Sequence, residues 1–289
     1  MNHSPPAIEI LKGPRDGIED AASHVHLQAH TGKRKEVNIL TVCDGVGGSA
    51  YGEVASRRTI EFLSGYLSFV CQKALEPDKM KELVLEALHE ANKNVLFCQE
   101  QNRSLKGMST TVVVAVVIDG KVYVAWAGDS RCYLYSGHDQ LRQITVDHSF
   151  TEYLIAQGKL DPKLASDHPC RHFIMQCLGK SEGFSPSVTV HDISDGDVLL
   201  LCSDGLTDVV DRQHLGRVLS SVRSHTITPQ TAVERLTQLA LELNTTDNVT
   251  AFLYQHHADP DQETMQTAAS MYPEALQTIF QPEIERTTT

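Results

Sequence analysis

Two strand-length apolar runs, 111–118 and 121–127, are joined by Asp119-Gly120, and this junction constrains the fold more than any other stretch. Asp-Gly between apolar runs is the strongest short hairpin signal, because both central residues of the tight turn need positive φ. The pair is therefore antiparallel. Helical periodicity precedes it twice in succession. Ala55, Thr59, Phe62, Leu63, Tyr66 and Val70 share one face, then Val84, Ala87, Leu88, Ala91, Val95 and Cys98 share another. Alternating Val25, Leu27 and Ala29, then a continuous run over 37–43, predict strands before those helices. Further strands fit 131–135, 187–193, 197–202 and 249–254. Two more helices fit 211–222 and 229–243, opened by a cap-competent Asp211 and by Pro229. Antiparallel strands with helices gathered in pairs specify an α+β fold rather than a doubly wound sheet.

Charge removes several classes of function. The 289 residues carry 25 Lys+Arg against 37 Asp+Glu, a formal charge of −12, and the only basic cluster is Lys33-Arg34-Lys35. That triplet reads as a solvated turn before a strand, so a nucleic-acid partner is not expected. The run over 111–118 is too short for a membrane helix, and residues 1–7 carry two prolines and no apolar core, so no secretory signal is read there. The seven cysteines form no C-x-x-C pair, and Cys43, Cys71, Cys132 and Cys202 lie in or beside apolar runs. Small core residues in a reducing compartment fit that usage, and a cytoplasmic location is expected.

Three familiar patterns lack their context. Residues 45–50 fit the G-x-G-x-x-A dinucleotide fingerprint, but Asp44 would face the pyrophosphate with like charge, and no βαβ unit follows. Residues 179–183 match G-x-S-x-G, yet a strand rather than a helix comes next. His24-x-His26 and His256-His257 have no partner Cys or His at ligand spacing and read as edge-strand histidines.

The informative pattern is where apolar runs meet aspartate. The run over 38–43 ends in Asp44-Gly45, 198–203 in Asp204-Gly205, and 122–128 in Asp129; Asp247-Asn248 precedes the last strand, and Glu19-Asp20 the first. Asp119-Gly120 and Asp195-Gly196 sit between strands and are turns. After Asp44 and Asp204 a polar or Gly-rich loop leads to helix instead, which suits site-building loops on a rigid scaffold. Two carboxylates ~4 Å apart repel by about 4 kcal/mol at an effective dielectric of ~20. Four or five converging would need raised pKa values or bound cations, and an all-oxygen set selects Mg or Mn before Zn. Two such ions acidify a shared water into a hydroxide nucleophile, so the chemistry suggested is metal-assisted hydrolysis of phosphate esters.

Six motifs then occur in one order: Arg15-x-x-x-Glu19-Asp20, Asp44-Gly-x-Gly-Gly48, Gly128-Asp-Ser-Arg131, Asp147-His-Ser149, Ser203-Asp-Gly-Leu206 and Asp247-Asn248. This order resembles the metal-dependent Ser/Thr protein phosphatases of type 2C, in the single-domain bacterial style, over residues 13–254. The resemblance implies two antiparallel sheets sandwiched between helix pairs, four layers α-β-β-α. It implies a lead at 1–12, a catalytic domain at 13–257 with a variable flap about 149–186, and a tail at 258–289. It further implies that Asp44 bridges two Mn or Mg ions with the Gly45 carbonyl on the first, and that Asp20, Asp204 and Asp247 serve the second. Asp129 with Asp204 would take a weaker third ion, Glu19 would orient metal-bound water, and Arg15 would anchor the substrate phosphate. Asp44, Asp204 and Asp247 are the residues expected to carry catalysis. The chain departs from many members at Ile18, where they have Asn, and from some at Val46, where a histidine is proposed as general acid. Val46 cannot donate a proton; His148 is a candidate, with a structural turn the favoured reading.

The function expected is hydrolysis of phosphoserine and phosphothreonine on proteins, by water or hydroxide bridging the two ions, opposing a Ser/Thr kinase. The enzyme is expected to be a monomer. The alternative is a catalytically weak phosphoprotein-binding regulator of the same fold, and a small-molecule phosphatase would differ mainly in the flap. In the tail, Met271, Leu276, Ile279 and Phe280 are read as part of a flexible terminus rather than a docking helix.

Overall fold

Asp119 and Gly120 both take positive φ, 52° and 67°, as the hairpin requires. The structure, a computed structural model, describes residues 5–31, 33–46, 51–73, 77–137, 140–165 and 167–258. The hairpin strands β4 (Val112–Ile118) and β5 (Lys121–Ala127) lie in one antiparallel sheet with β2 (Asp20–Thr31), β3 (Lys33–Asp44) and β8 (Ser187–Asp192), in the order β2-β3-β4-β5-β8. A second antiparallel sheet holds β1 (Ala7–Leu11), β6 (Arg131–Ser136), β7 (Gln140–Gln143), β9 (Val198–Cys202) and β10 (Val249–Gln255), in the order β1-β10-β9-β6-β7.

Both sheets are buried on two faces, which is why their inner strands are apolar without interruption. On β4 the pleat sends Val112, Val114, Val116 and Ile118 towards α1 (Gly52–Lys73) and α2 (Pro77–Gln101), where Leu63, Leu67, Val84 and Leu88 meet them. Val113, Ala115 and Val117 point the other way, into a layer shared with Leu199, Leu201 and Phe252 of the second sheet. The outer face of that sheet, Val198, Leu200 and Cys202 included, packs on α5 (Arg212–Arg223) and α6 (Pro229–Glu242). The result is the four-layer α-β-β-α order. Truncating a fully buried leucine such as Leu199 or Leu200 to alanine would cost about 2–5 kcal/mol.

Several elements differ from the sequence expectation. Residues 7–11, read as a lead, form edge strand β1 paired with β10. The basic triplet lies inside β3 rather than in a turn before it, and Lys35 pairs with Asp119 of the neighbouring β4–β5 turn. The 149–186 stretch holds a helix, α3 (Phe150–Ala156), whose N-cap Ser149 accepts from the Glu152 N–H at 3.3 Å. At seven residues it is too short to show a 3.6 period. A four-residue helix, α4 (Asp204–Thr207), follows β9 directly. Cys43, Cys71, Cys132 and Cys202 are buried and unbridged. The loop 47–50 and the tail from 259, with Met271, Leu276, Ile279 and Phe280, lie outside the described residues.

Candidate metal centre

Strand register alone brings the first two carboxylates together. Asp20 opens β2, Asp44 closes β3, and the two are direct partners in the antiparallel ladder. Asp129 follows β5, Asp204 follows β9 as the first residue of α4, and Asp247 precedes β10. The charges of Asp20, Asp204, Asp129 and Asp247 all bear on Asp44. The structure thus gathers the five aspartates that the sequence places at strand ends as candidate ligands.

Each is positioned by identifiable contacts. Asp20 is 6% exposed, and its Oδ2 accepts from the hydroxyls of Ser203 (2.8 Å) and Thr250 (2.6 Å), which ties β2 to β9 and β10. The Asp44 N–H donates to Thr111 Oγ1 at 3.1 Å, and its carbonyl accepts from the Thr111 N–H and the Thr110 hydroxyl, both at 2.8 Å. Thr111 in turn shares a 2.6 Å hydrogen bond with Ser130, next to Asp129. Gly45 is obligatory, since a Cβ there would lie 2.5 Å from the backbone of Gly52. Its N–H donates to the Glu19 carbonyl at 3.1 Å. Gly205 is as constrained, since a Cβ there would lie 2.0 Å from the Asn248 carbonyl oxygen.

The electrostatics are those of a cation site. Burial, followed by the charges of Asp20, Asp204, Asp129 and Asp247, holds the Asp44 carboxyl well above the usual range. Asp204 behaves likewise, through burial and then Asp129, Asp208, Asp247 and Asp20. Burial lifts Asp20 to about 6 against the opposing hydroxyl donors. Asp129 rises to about 7 through burial and then Asp147. Asp20 Oδ1 and Asp204 Oδ1 are buried with no hydrogen-bond partner among the described residues. Buried anionic oxygens without donors are costly. A divalent cation removes both costs, and carboxylate with carbonyl oxygen is the donor set for Mg or Mn. The residues fit such ions.

At the mouth, Arg15 donates from Nη2 to Asp247 at 2.5 Å and from Nε to the Thr246 carbonyl at 3.0 Å. Its side chain is 41% exposed, which leaves it accessible to an anion. Glu19 lies behind it, its carboxyl raised by burial.

His148 does not face these carboxylates. Its Nδ1 accepts from the Gly128 N–H at 3.3 Å, its Nε2 meets Ser187 Oγ at 2.9 Å, and its ring stacks on Trp126 at 5.9 Å. That is the structural turn the sequence favoured. Sequence reading placed Asn248 in a motif without its bracing role, and missed two further contributors, Asp208 and His172. Asn248 is 2% exposed and braces the Arg15–Asp20 loop by accepting from the Glu19 N–H and donating to the carbonyls of Lys12 and Gly17. Asp208, the C-cap of α4 one turn beyond Asp204, and His172 from the 149–186 stretch also stand at the site's edge. Spacing i, i+4 after Asp204 could have found Asp208; nothing local marks His172.

A family model described as protein phosphatase 2C matches residues 20–243. The serine/threonine phosphatase stp of Listeria monocytogenes is 33% identical over 186 residues, covering 64% of this chain and 73% of that protein. A bacterial serine phosphatase crystal structure superposes with a TM-score of 0.75 at 32% identity, over 89% of this chain and 99% of that one. The catalytic domain of serine threonine protein phosphatase PstP, solved in complex with two manganese ions, gives 0.69 at 27% identity over 89% and 99%. With the family model matching most of its length and the fold shared with solved members, the chain belongs to the protein phosphatase 2C family.

Proposed function

We propose that this chain is a metal-dependent phosphatase hydrolysing phosphoserine and phosphothreonine on proteins. The observation that carries the reading is the convergence of five aspartates, two with buried oxygens that have no partner among the described residues. Asp20, Asp44, Asp204, Asp247 and the Gly45 carbonyl would hold two Mn or Mg ions, with Asp129 and Asp204 serving a weaker third. When bound, such ions supply Lewis acidity towards phosphoryl oxygens and a water acidic enough to act as hydroxide at neutral pH. Arg15, braced by Asp247 and the Thr246 carbonyl, would direct two N–H donors at the phosphate dianion. Glu19, raised by burial, would orient water. Val46 offers no proton to the leaving alkoxide, so solvent would supply it.

The 13–257 domain would act as a monomer in the cytoplasm, opposite a Ser/Thr kinase, with 149–186 as its flap; among the described residues no helix is long and apolar enough to cross a membrane. The test is hydrolysis of a phosphothreonine peptide with Mn, without metal and with excess chelator. Turnover that needs Mn and is lost to chelator supports the reading. Mn binding by calorimetry without turnover would overturn it in favour of a phosphoprotein-binding regulator.

A further inference from the structure

Two carboxamides of α2 bind backbone on both sides of a seam that ends at the metal centre. Asn92 and Gln99 stand about two helical turns apart and so share one face. Asn92 is 7% exposed; its Oδ1 accepts from the Gly179 N–H at 2.8 Å, and its Nδ2 donates to the Lys180 carbonyl at 3.0 Å. Gln99 Nε2 donates to the carbonyls of Met108 (3.0 Å) and Gly179 (3.2 Å), and its Oε1 accepts from the Gly107 N–H at 3.3 Å. Each amide donates from nitrogen to a carbonyl and accepts at oxygen from an N–H, which fixes its orientation. Gly179 has φ 96°, and a Cβ on it would lie 2.4 Å from the Met108 carbonyl oxygen. Only glycine lets the two backbones approach this closely.

The clamped backbone continues to the centre through Thr110. The Leu178 N–H donates to the Thr110 carbonyl at 2.8 Å and the Thr110 N–H to the Leu178 carbonyl at 3.2 Å, while Thr110 bridges on its other side to Gly45. There the Val46 N–H donates to the Ser109 carbonyl at 3.0 Å. In a trans peptide the Gly45 carbonyl points opposite to that N–H, away from Ser109. The neighbouring Asp44 carbonyl and Gly45 N–H are committed as well, to the Thr111 N–H and the Glu19 carbonyl. The direction of the Gly45 carbonyl is therefore set by residues 109–110, which are themselves held against 178.

We infer that Asn92 and Gln99 are positioning residues for the metal centre: they clamp residues 179–180 to 107–108 and so hold the Gly45 carbonyl at the angle an ion requires. The inference rests on the reading of that carbonyl as an ion ligand. Packing does not ask for these amides. Val84, Leu88, Ala91 and Val95 already bury α2 in the apolar cluster, and a buried carboxamide beside them carries a desolvation cost that an apolar residue would not. All five bonds go to the backbone of the two clamped segments, so the amides act on the ligand only through that backbone. Groups that orient a metal ligand contribute about 10–100-fold to metal affinity.

The test uses the full chain stripped of metal, as wild type, Asn92→Ala, Gln99→Ala and Gln99→Met, the last keeping the bulk and losing the hydrogen bonds. Val222→Ala, at a fully buried site in the outer cluster of the second sheet, is the control for general destabilisation. Mn binding is measured by calorimetry. Amide exchange at Val46 is followed by NMR before metal is added, against Val114 in the core strand β4. The three clamp variants should bind one Mn about tenfold more weakly, and exchange at Val46 should quicken roughly tenfold relative to Val114, because local opening there no longer breaks the clamp. Val222→Ala should lower the urea midpoint while leaving Mn affinity and that exchange ratio at the wild-type values. Wild-type Mn affinity in Gln99→Met would overturn the clamp, as would a Val222→Ala protein weakened towards Mn as much as the clamp variants. Phosphopeptide turnover is read separately: a wild type that binds Mn without turnover would remove the phosphatase reading, and tenfold weaker binding by the variants would still establish the clamp.

Discussion

Asp20 and Asp44 are direct partners in the β2–β3 ladder, so adjoining strand ends carry like charges to one point. Side-chain pairs in such a ladder normally stabilise it, and like charges directly opposite do the reverse. The expected consequence is a trade between stability and function. Asp44→Asn removes a carboxyl whose ionisation the buried cluster opposes, and in excess chelator at neutral pH it should raise stability by about 1–2 kcal/mol, a fraction of the repulsion at effective dielectric ~20. With Mn the same variant should lose more than about a thousandfold in kcat, as expected when a shared ligand of the reacting ions goes. Thermal unfolding in chelator and peptide turnover in Mn read the two halves. A destabilised, active Asp44→Asn protein would contradict both.

The pH dependence of the metal-free protein follows from the same cluster. Asp20 near 6 and Asp129 near 7 titrate above the ~4 of an unfolded aspartate. Between about pH 4 and 7 the native state therefore binds more protons than the unfolded chain, and stability must fall as pH rises. The melting temperature in chelator should be higher at pH 5 than at pH 8. Saturating Mn should reverse the slope, because the ion competes with those protons for the same oxygens.

Arg15 contacts Asp247 through one nitrogen and the Thr246 carbonyl through another, so its fork is held in place from behind. Arg15→Ala should lower kcat/KM for a phosphothreonine peptide by about 10–100-fold, the range for charged hydrogen bonds worth roughly 1.5–3 kcal/mol. Arg15→Lys should recover only part, since an ammonium cannot donate in parallel. Initial-rate kinetics at saturating Mn checks this, and full recovery by lysine would mean that only charge is needed.

The layers of this fold were legible because both sheets are buried twice over, leaving uninterrupted runs such as 112–118 and 198–202 that only a sandwich interior explains. The helix pairs were legible because each buries a single stripe. β1 and β7 escaped because they are edge strands of five and four residues and lack that signal. α3 escaped because seven residues complete barely two turns. The site divides along similar lines. Asp20, Asp44, Asp129, Asp204 and Asp247 sit where a strand begins or ends, and that boundary is visible in one dimension. Their convergence is set by antiparallel register and by the β9–β10 pairing, which spacing does not encode. Asn248 was visible as part of Asp247-Asn248, but its hold on Glu19, Lys12 and Gly17, more than 200 residues away, is not encoded locally, and nothing local marks His172.

His148 is expected to be silent in the pH–rate profile. Burial lowers its pKa, and Nδ1 accepts from the Gly128 N–H, which puts the proton of the neutral ring on Nε2, towards Ser187. His148→Asn should cost about 1–3 kcal/mol in urea unfolding, from the unpaired Ser187 contact and the lost stack on Trp126. The apparent pKa values of kcat/KM should not move. A shifted or lost limb in that variant would assign His148 a proton-transfer role instead.

Asn248 offers the sharpest comparison, because its amide is used at both ends. Oδ1 accepts from the Glu19 N–H at 2.7 Å, while Nδ2 donates to the carbonyls of Lys12 at 2.7 Å and Gly17 at 2.9 Å. These three bonds hold the loop that carries Arg15, Glu19 and Asp20. Asn248→Ala leaves three backbone groups without their partner and should cost about 2–3 kcal/mol, together with weaker Mn binding. Asn248→Asp keeps the shape, yet it turns an acceptor towards two carbonyls and adds a charge beside Asp247. The near-isosteric change should therefore be the more damaging of the two, in urea midpoint and in the Mn concentration for half-maximal turnover. If aspartate were tolerated better than alanine, the loop would be held by packing and not by the direction of these hydrogen bonds.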